Sequence, residues 1–249
     1  VGPDLGVDEI GIPFKMAEVM YEPFILRELR KMGYKATDFK RIKKEKPALI
    51  KSVLEKIVKE RPVVVNRNPS LHKGSTFGFN PKLVEGSSIK LNPLILKPLG
   101  ADFDGDQVPV HVPISQKAVE QVKGMIPSLN VLSPKNDSFQ INFDQEYIAG
   151  LSLMTEDGKK TSLKFENIKT AEEAYKANRI RISDKIKIAG KTTTLGRALL
   201  VSALPAEFGY KGDRQLTKPG IEELMKKMVS NGSVSRYTDV INRLKNFGA

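Results

Sequence analysis

Asp102, Asp104 and Asp106 stand at every second position of the run Gly100-Ala101-Asp102-Phe103-Asp104-Gly105-Asp106-Gln107. Carboxylates that close repel one another, and no Lys or Arg lies among them to offset the repulsion. Either the run is a solvated turn, where crowding costs little, or a cation belongs there. Oxygen-only donors suit Mg2+ or Mn2+, and Ca2+ where the site is larger. Gly105 lets the backbone turn sharply between ligands. Phe103 is expected to point the other way and anchor the loop in the core. A calcium loop of the EF-hand type also begins D-x-D-x-D, but here its sixth position is Gln107 instead of Gly and its twelfth is Pro113 instead of Glu. Helices should flank such a loop, and here strands are expected. Two Asp residues can instead hold an Mg2+ that also touches phosphate, as in two-metal phosphoryl transfer. Such a site needs cations for its substrate, and NRNPSLHKG supplies Arg67, His72 and Lys73 upstream. Arg67 is suited to bidentate contact with a phosphate or a ribose hydroxyl. His72 and His111, the only histidines, read as structural.

The elements that must position these residues change texture along the chain. Residues 1–11 read as strand or loop. Apolar residues recur at helical spacing from Phe14 to Met32, with Pro23 dividing the helix and Gly33 ending it. The lysine-rich stretch that follows contains an amphipathic helix whose buried face is Leu49, Val53, Leu54, Ile57 and Val58. After Pro62 the pattern is β: VVVN at 63–66, a turn-rich NRNPSLHKGS, then short runs broken by Pro and Gly. In QVPVHVPI, Val108, Val110 and Val112 alternate with Gln107, Pro109 and His111, which predicts a half-buried strand with an edge or bulge at Pro109. The acidic run therefore falls on a connection between two strands, and the short strands together suggest a small barrel. From Ser115, read as an N-cap, the pattern turns helical. EYIAGLSLMT and AEEAYKAN are further helices, RIRISDKIKIAGKTTTLG alternates like strands, and the tail from Lys218 gives two short helices. Residues 156–170 are merely polar.

The 249 residues can form one large or two modest domains, and 40% hydrophobic content allows a buried core. The absence of Cys excludes disulfides, zinc-thiolate sites and thiol nucleophiles, and points to a reducing compartment. No apolar run reaches membrane-spanning length. The first residue is Val, which is the expectation for a fragment, a processed product or a trimmed chain. A net charge of +12 favours a polyanionic partner, beside the plainer reading of a solvated lysine-rich surface.

With these residues in view, the chain resembles the largest (β′) subunit of multisubunit DNA-dependent RNA polymerases. That family's catalytic loop reads NADFDGDQ and runs into a strand like MAVHVP; here the sequence is GADFDGDQVPVHVP. VGPDLGVDEIGIPFKMAEVMYEPFILREL looks like the family's preceding segment. RPVVVNRNPSLHKG looks like its PVLLNRxPTLHR, and VEGSSIKLNPLI like its VEGKAIQLHPLV. NVLSPKND, LSLMT and KTTTLGRALL have counterparts in the same order. The match is strongest over residues 1–155.

The resemblance implies an α+β fold: a double-psi β-barrel with helical insertions over residues 1–115, then a mostly helical, pore-like region over 116–249. It implies that Asp102, Asp104 and Asp106 chelate the catalytic Mg2+ at the RNA 3′ end, and that a second Mg2+ arrives with the nucleoside triphosphate. Arg67 matches the arginine that contacts the ribose of the incoming nucleotide, and Pro69 the proline beside it. The implied partners are a β-type subunit and other polymerase subunits, template DNA and nascent RNA, with no membrane. The implied location is cytoplasmic and nucleoid-associated, or the host cytoplasm or virion for a viral member. The family's Asn before Ala-Asp, which helps read the sugar, is Gly100 here; with Asn68 and Ser70 this marks a divergent member, a viral origin being left open. A chain of this extent should be inactive alone, because the β-type partner and the downstream elements of the subunit are needed. Two other readings remain: the RNA-silencing type of RNA-dependent polymerase, which also carries a DxDGD loop in a barrel, and a non-catalytic nucleic-acid-binding or assembly module.

Overall fold

The computed structural model describes residues 5–70, 75–133, 139–141, 143, 145–232 and 236–248, so His72 and Lys73 lie outside the described residues. The chain is mixed α+β and divides into two compact units, 1–141 and 142–249.

In the first unit, strand β1 (Glu9–Pro13) leads into α1 (Phe14–Met20) and α2 (Glu22–Lys31). Pro23 sits at the start of α2, where its missing N–H costs nothing, so the single long helical pattern becomes two helices. Gly33 follows with φ +88. Next come α3 (Phe39–Glu45) and α4 (Pro47–Glu60). Val53, Leu54, Ile57 and Val58 of α4 are buried, as their spacing predicts, while Leu49 is only half-buried and Ile50 is buried in its stead. Each such side chain contributes roughly 1.5–3 kcal/mol on burial.

Strands β2 (Val63–Asn66), β3 (Thr76–Val84), β4 (Lys90–Leu91) and β5 (Val110–His111) join β1 in a five-stranded sheet of order β4-β1-β3-β2-β5. β1 runs parallel to β3; the other pairs are antiparallel. Val63, Val65, Phe77 and Phe79 fill one face against α4. The sheet is open: β4 and β5 are its edges and are not paired with each other among the described residues. The acidic run lies on the connection between β4 and β5, as expected, but that connection also contains a short helix. The run is preceded by α5 (Leu96–Leu99) and followed by β5, the edge strand. Val108, Val110 and Val112 are half-buried while Gln107, Pro109 and His111 are exposed, as the alternation predicts. Helix α6 (Gln116–Lys123) starts at Ser115, whose Oγ accepts the Ala118 N–H at 3.2 Å.

The second unit holds α7 (Gln145–Thr155), then β6 (Lys160–Phe165), α8 (Ile168–Lys176), β7 (Lys185–Ile188), β8 (Lys191–Thr194) and α9 (Leu195–Ala203). β6 pairs parallel with β7, and β7 antiparallel with β8. Ala171, Ala174, Ile186, Ile188 and Leu195 form the core between α8 and this sheet. Helices α10 (Lys218–Ser230) and α11 (Tyr237–Gly248) complete the unit.

Candidate metal and nucleotide site

Two anchored approaches bring the acidic loop to its place. On its N-terminal side the buried Asn92 holds the chain: its Nδ2 donates to the Leu5 carbonyl at 2.8 Å and its Oδ1 accepts the Leu94 N–H at 3.1 Å. The chain then passes through α5 and leaves it at Gly100, which caps the helix with φ +63. Gly105 has φ +113, a backbone that an L side chain would strain. On the C-terminal side, β5 pairs with β2 through Val64↔His111 and Val65↔Val110. Continuing that antiparallel register puts the residue after β2, Arg67, against the end of the loop. The far end of β5 is held by Arg61, whose Nη1 donates to the carbonyls of Pro113 (2.9 Å) and Ile114 (3.1 Å) while its guanidinium covers the Phe24 ring at 4.1 Å.

Arg67 and Asp106, separated by 39 residues, meet as a two-pronged ion pair. Nε reaches Oδ2 at 2.7 Å and Nη2 donates to Oδ1 at 3.1 Å. Asp106 Oδ2 also accepts the Asp102 N–H at 2.9 Å, closing the loop on itself, and Asp102 Oδ1 accepts the Phe103 N–H at 2.8 Å. The Arg67 hydrogen bond, followed by that of the Asp102 amide, holds the Asp106 carboxyl below the usual carboxylate range. Asp102 and Asp106 line a cavity of about 580 Å³ with Met16, Ser87, Ser88 and Phe103. Asp104 is exposed and is not among the residues lining that cavity.

Of the expected site residues, Asp102, Asp106 and Arg67 are thus brought together. Asp104 shares their loop but not their contacts. Pro69 follows Arg67 in an exposed turn after a cis Asn68–Pro69 bond, where Asn66 Nδ2 donates to Ser70 Oγ at 2.9 Å. Among the described residues no three His, Cys, Asp or Glu side chains are grouped as a metal-ligand set. Phe103 does not anchor the loop in the core; it is 46% exposed and lines the cavity. Alternation between two faces belongs to extended strands, and residues 101–109 are not in one. Ser87, Ser88 and Arg61 carried no signal of their own in the sequence. A larger cavity, about 840 Å³, lies in the second unit, where Ile188, Ala198 and Val201 line it beside Lys169 and Lys191. Its size alone gives it no chemistry.

The family model for RNA polymerase Rpb1, domain 2, matches residues 27–127, a span that includes Arg67 and the whole acidic loop. Similarity to DNA-directed RNA polymerase β′ subunits extends over the full chain: 35% identity over 260 residues to that of Sulfurovum sp. (strain NBC37-1), and 38% over 260 residues to that of Sulfurihydrogenibium sp. (strain YO3AOP1). The chain belongs to the DNA-directed RNA polymerase β′ family. The β′ subunit of Thermosipho melanesiensis is 35% identical over 268 residues. In these comparisons all of this chain is covered but only 16–17% of the relative, so the chain spans about a sixth of the length of the β′ subunits it matches.

Proposed function

We propose that this chain is the portion of a DNA-directed RNA polymerase catalytic subunit that carries the metal-binding loop and one wall of the nucleotide site. The observation that carries this reading is the Arg67–Asp106 contact, which joins at one loop two segments that resemble motifs of the β′ family. Asp102, Asp104 and Asp106 would hold Mg2+. The donor set suits it, since all three ligands are carboxylate oxygens with no sulfur or nitrogen among them. Binding by all three calls for a rearrangement of the loop's side chains, because Asp104 is apart from the Asp102–Asp106 pair. When bound, the ion would lower the cost of charge developing on the attacking and leaving oxygens, with a second ion brought by the nucleoside triphosphate. Arg67 would orient the ribose of that nucleotide, and Pro69 would shape the turn beside it.

On the same reading the open sheet is part of a double-psi β-barrel within residues 1–115, and residues 116–249 form the pore-like region. The partners would be a β-type subunit and other polymerase subunits, template DNA and nascent RNA, in a cytoplasmic, nucleoid-associated complex. Among the described residues no helix is long and apolar enough to cross a membrane. The test is RNA synthesis from a DNA template with Mg2+, by the native complex purified through this chain. The complex should be active, and replacing Asp102, Asp104 and Asp106 together by Ala should abolish synthesis. Equal activity in the variant would make this region a non-catalytic assembly module.

A further inference from the structure

Arg67 has a second consequence for the loop. A carboxylate offers about four lone-pair positions, two on each oxygen. Asp106 Oδ2 already accepts from Arg67 Nε at 2.7 Å and from the Asp102 N–H at 2.9 Å, so both of its positions are taken. Oδ1 accepts from Arg67 Nη2 at 3.1 Å and keeps one. A divalent cation approaching Oδ2 must displace a donor. One approaching Oδ1 must sit beside a guanidinium whose charge repels it.

We propose that Arg67 and a divalent cation compete for Asp106, so that Arg67 sets the ion affinity of the loop and is released to the nucleotide as the ion takes its place. This rests on the metal reading above and adds to it a coupling between the ion and the arginine. The pair is well placed for exchange. Arg67 and Asp106 side chains are 34% and 20% exposed, so solvent can compensate either partner as the pair opens. The described polar contacts of Arg67 are all with Asp106, so its release breaks no other described bond. The freed fork keeps its planar donors for a ribose hydroxyl or a phosphate. By reciprocity, an ion that frees Arg67 raises the affinity for any ligand that uses it, and that ligand raises the affinity for the ion by the same factor.

The experiment is a Mn2+ titration followed by electron paramagnetic resonance. It uses the complex containing this chain, as wild type, Arg67→Gln, Arg67→Lys, and the Asp102→Asn/Asp104→Asn double variant as background. Removing an ion pair of this exposure should tighten the Mn2+ dissociation constant by about fivefold in Arg67→Gln. Arg67→Lys, which keeps the charge and loses the fork, should lie between, and it also serves should Arg67→Gln fail to fold. Unchanged or weaker Mn2+ binding in the Arg67 variants, with the Asp variants still losing it, overturns the competition alone. Binding that does not respond to Asp102 and Asp104 overturns the metal reading, and the competition with it.

Discussion

Each of the two units contains an arginine–aspartate pair between residues distant in sequence, and these two pairs are built in opposite ways. In the second unit Arg197 is the buried partner: its side chain is 8% exposed, while that of Asp157 is 53% exposed. Arg197 Nη2 meets Asp157 at 2.9 Å, Nε donates to the Thr155 carbonyl at 2.8 Å, and Lys185 shares Asp157 at 3.1 Å. Thr155 is itself buried and its Oγ1 accepts the Leu216 N–H at 2.8 Å, so Arg197 ties α9 to α7, and Thr155 ties α7 to the approach to α10. In the first unit the aspartate stands on a loop and lines a cavity, and its arginine is bonded to nothing else described. A buried cation with several partners is part of the fold, because removing it strands those partners. A half-exposed pair on a loop contributes little to stability and can be exchanged. The same two residue types therefore serve structure in one unit and, on the reading proposed above, ligand handling in the other.

The sharpest way to test that division is to remove a carboxylate that has no described structural partner. Asp104→Ala should lower RNA synthesis by the assembled complex by about a thousandfold or more, comparable to losing one electrostatic transition-state contact at the upper end. The unfolding midpoint should stay where it is, since Asp104 is exposed and accepts no described hydrogen bond. A large fall in that midpoint would mean that the loop is structural and would break the comparison at its first unit.

Arg197→Met is the reciprocal change and should cost about 2 kcal/mol of stability, because the Thr155 carbonyl is left without its buried donor. For a domain of this size that is a drop of several degrees in the unfolding midpoint. Arg67→Ala, by contrast, should change stability by less than about 1 kcal/mol, and should raise the apparent KM for nucleotide by several-fold. Steady-state kinetics beside a thermal melt of each variant would read both. Equal destabilisation by the two changes would erase the distinction.

A smaller effect in the second unit is read by pH. Asp157 is held below the usual carboxylate range first by the Lys185 hydrogen bond and then by the charge of Arg197. Its folded value lies below its unfolded one, so its contribution is fully present above about pH 4, the unfolded value, and fades as pH falls through the folded value. Melts between pH 6 and pH 2.5 should show this loss. It should shrink in Lys185→Met, with no change in the neutral range.

The sequence displayed unevenly what the structure contains. Local punctuation was legible: Pro23 and Gly33 divide and end the helices where their backbone chemistry dictates, and Ser115 caps α6. The aspartates of the loop were legible as hard donors. What spacing could not reveal was contact at a distance. Arg67 reaches Asp106 because β2 pairs with β5, a long-range fact with no local trace. Strand β6 was missed because it shows no apolar alternation; Lys160, Leu163 and Lys164 are all exposed on an edge strand. Phe103 was misplaced because a strand rule was applied to a loop. The resemblance to the β′ family singled out residues that no pattern could, and one of its departures, Gly100, becomes intelligible only with the backbone angle in hand.

That departure gives the smallest expected effect. Gly100 adopts φ +63, the left-handed conformation that Asn tolerates better than most residues, and a Cβ placed there meets no atom within 4 Å. Gly100→Asn, the residue that the family's loop carries, should therefore fold with a stability change within about 0.5 kcal/mol. Its amide would stand at the head of the acidic loop, two residues before Asp102, with room to reach a ribose hydroxyl. The comparison of ribo- and deoxyribonucleotide incorporation by the complex is the informative readout. A rise in preference for the ribonucleotide, with the melt unmoved, would assign sugar reading to this position and confine its cost to function. A destabilised variant with unchanged preference would mean that Gly100 serves the α5 cap, and that the first unit's loop is more like the second unit's core than its exposure implies.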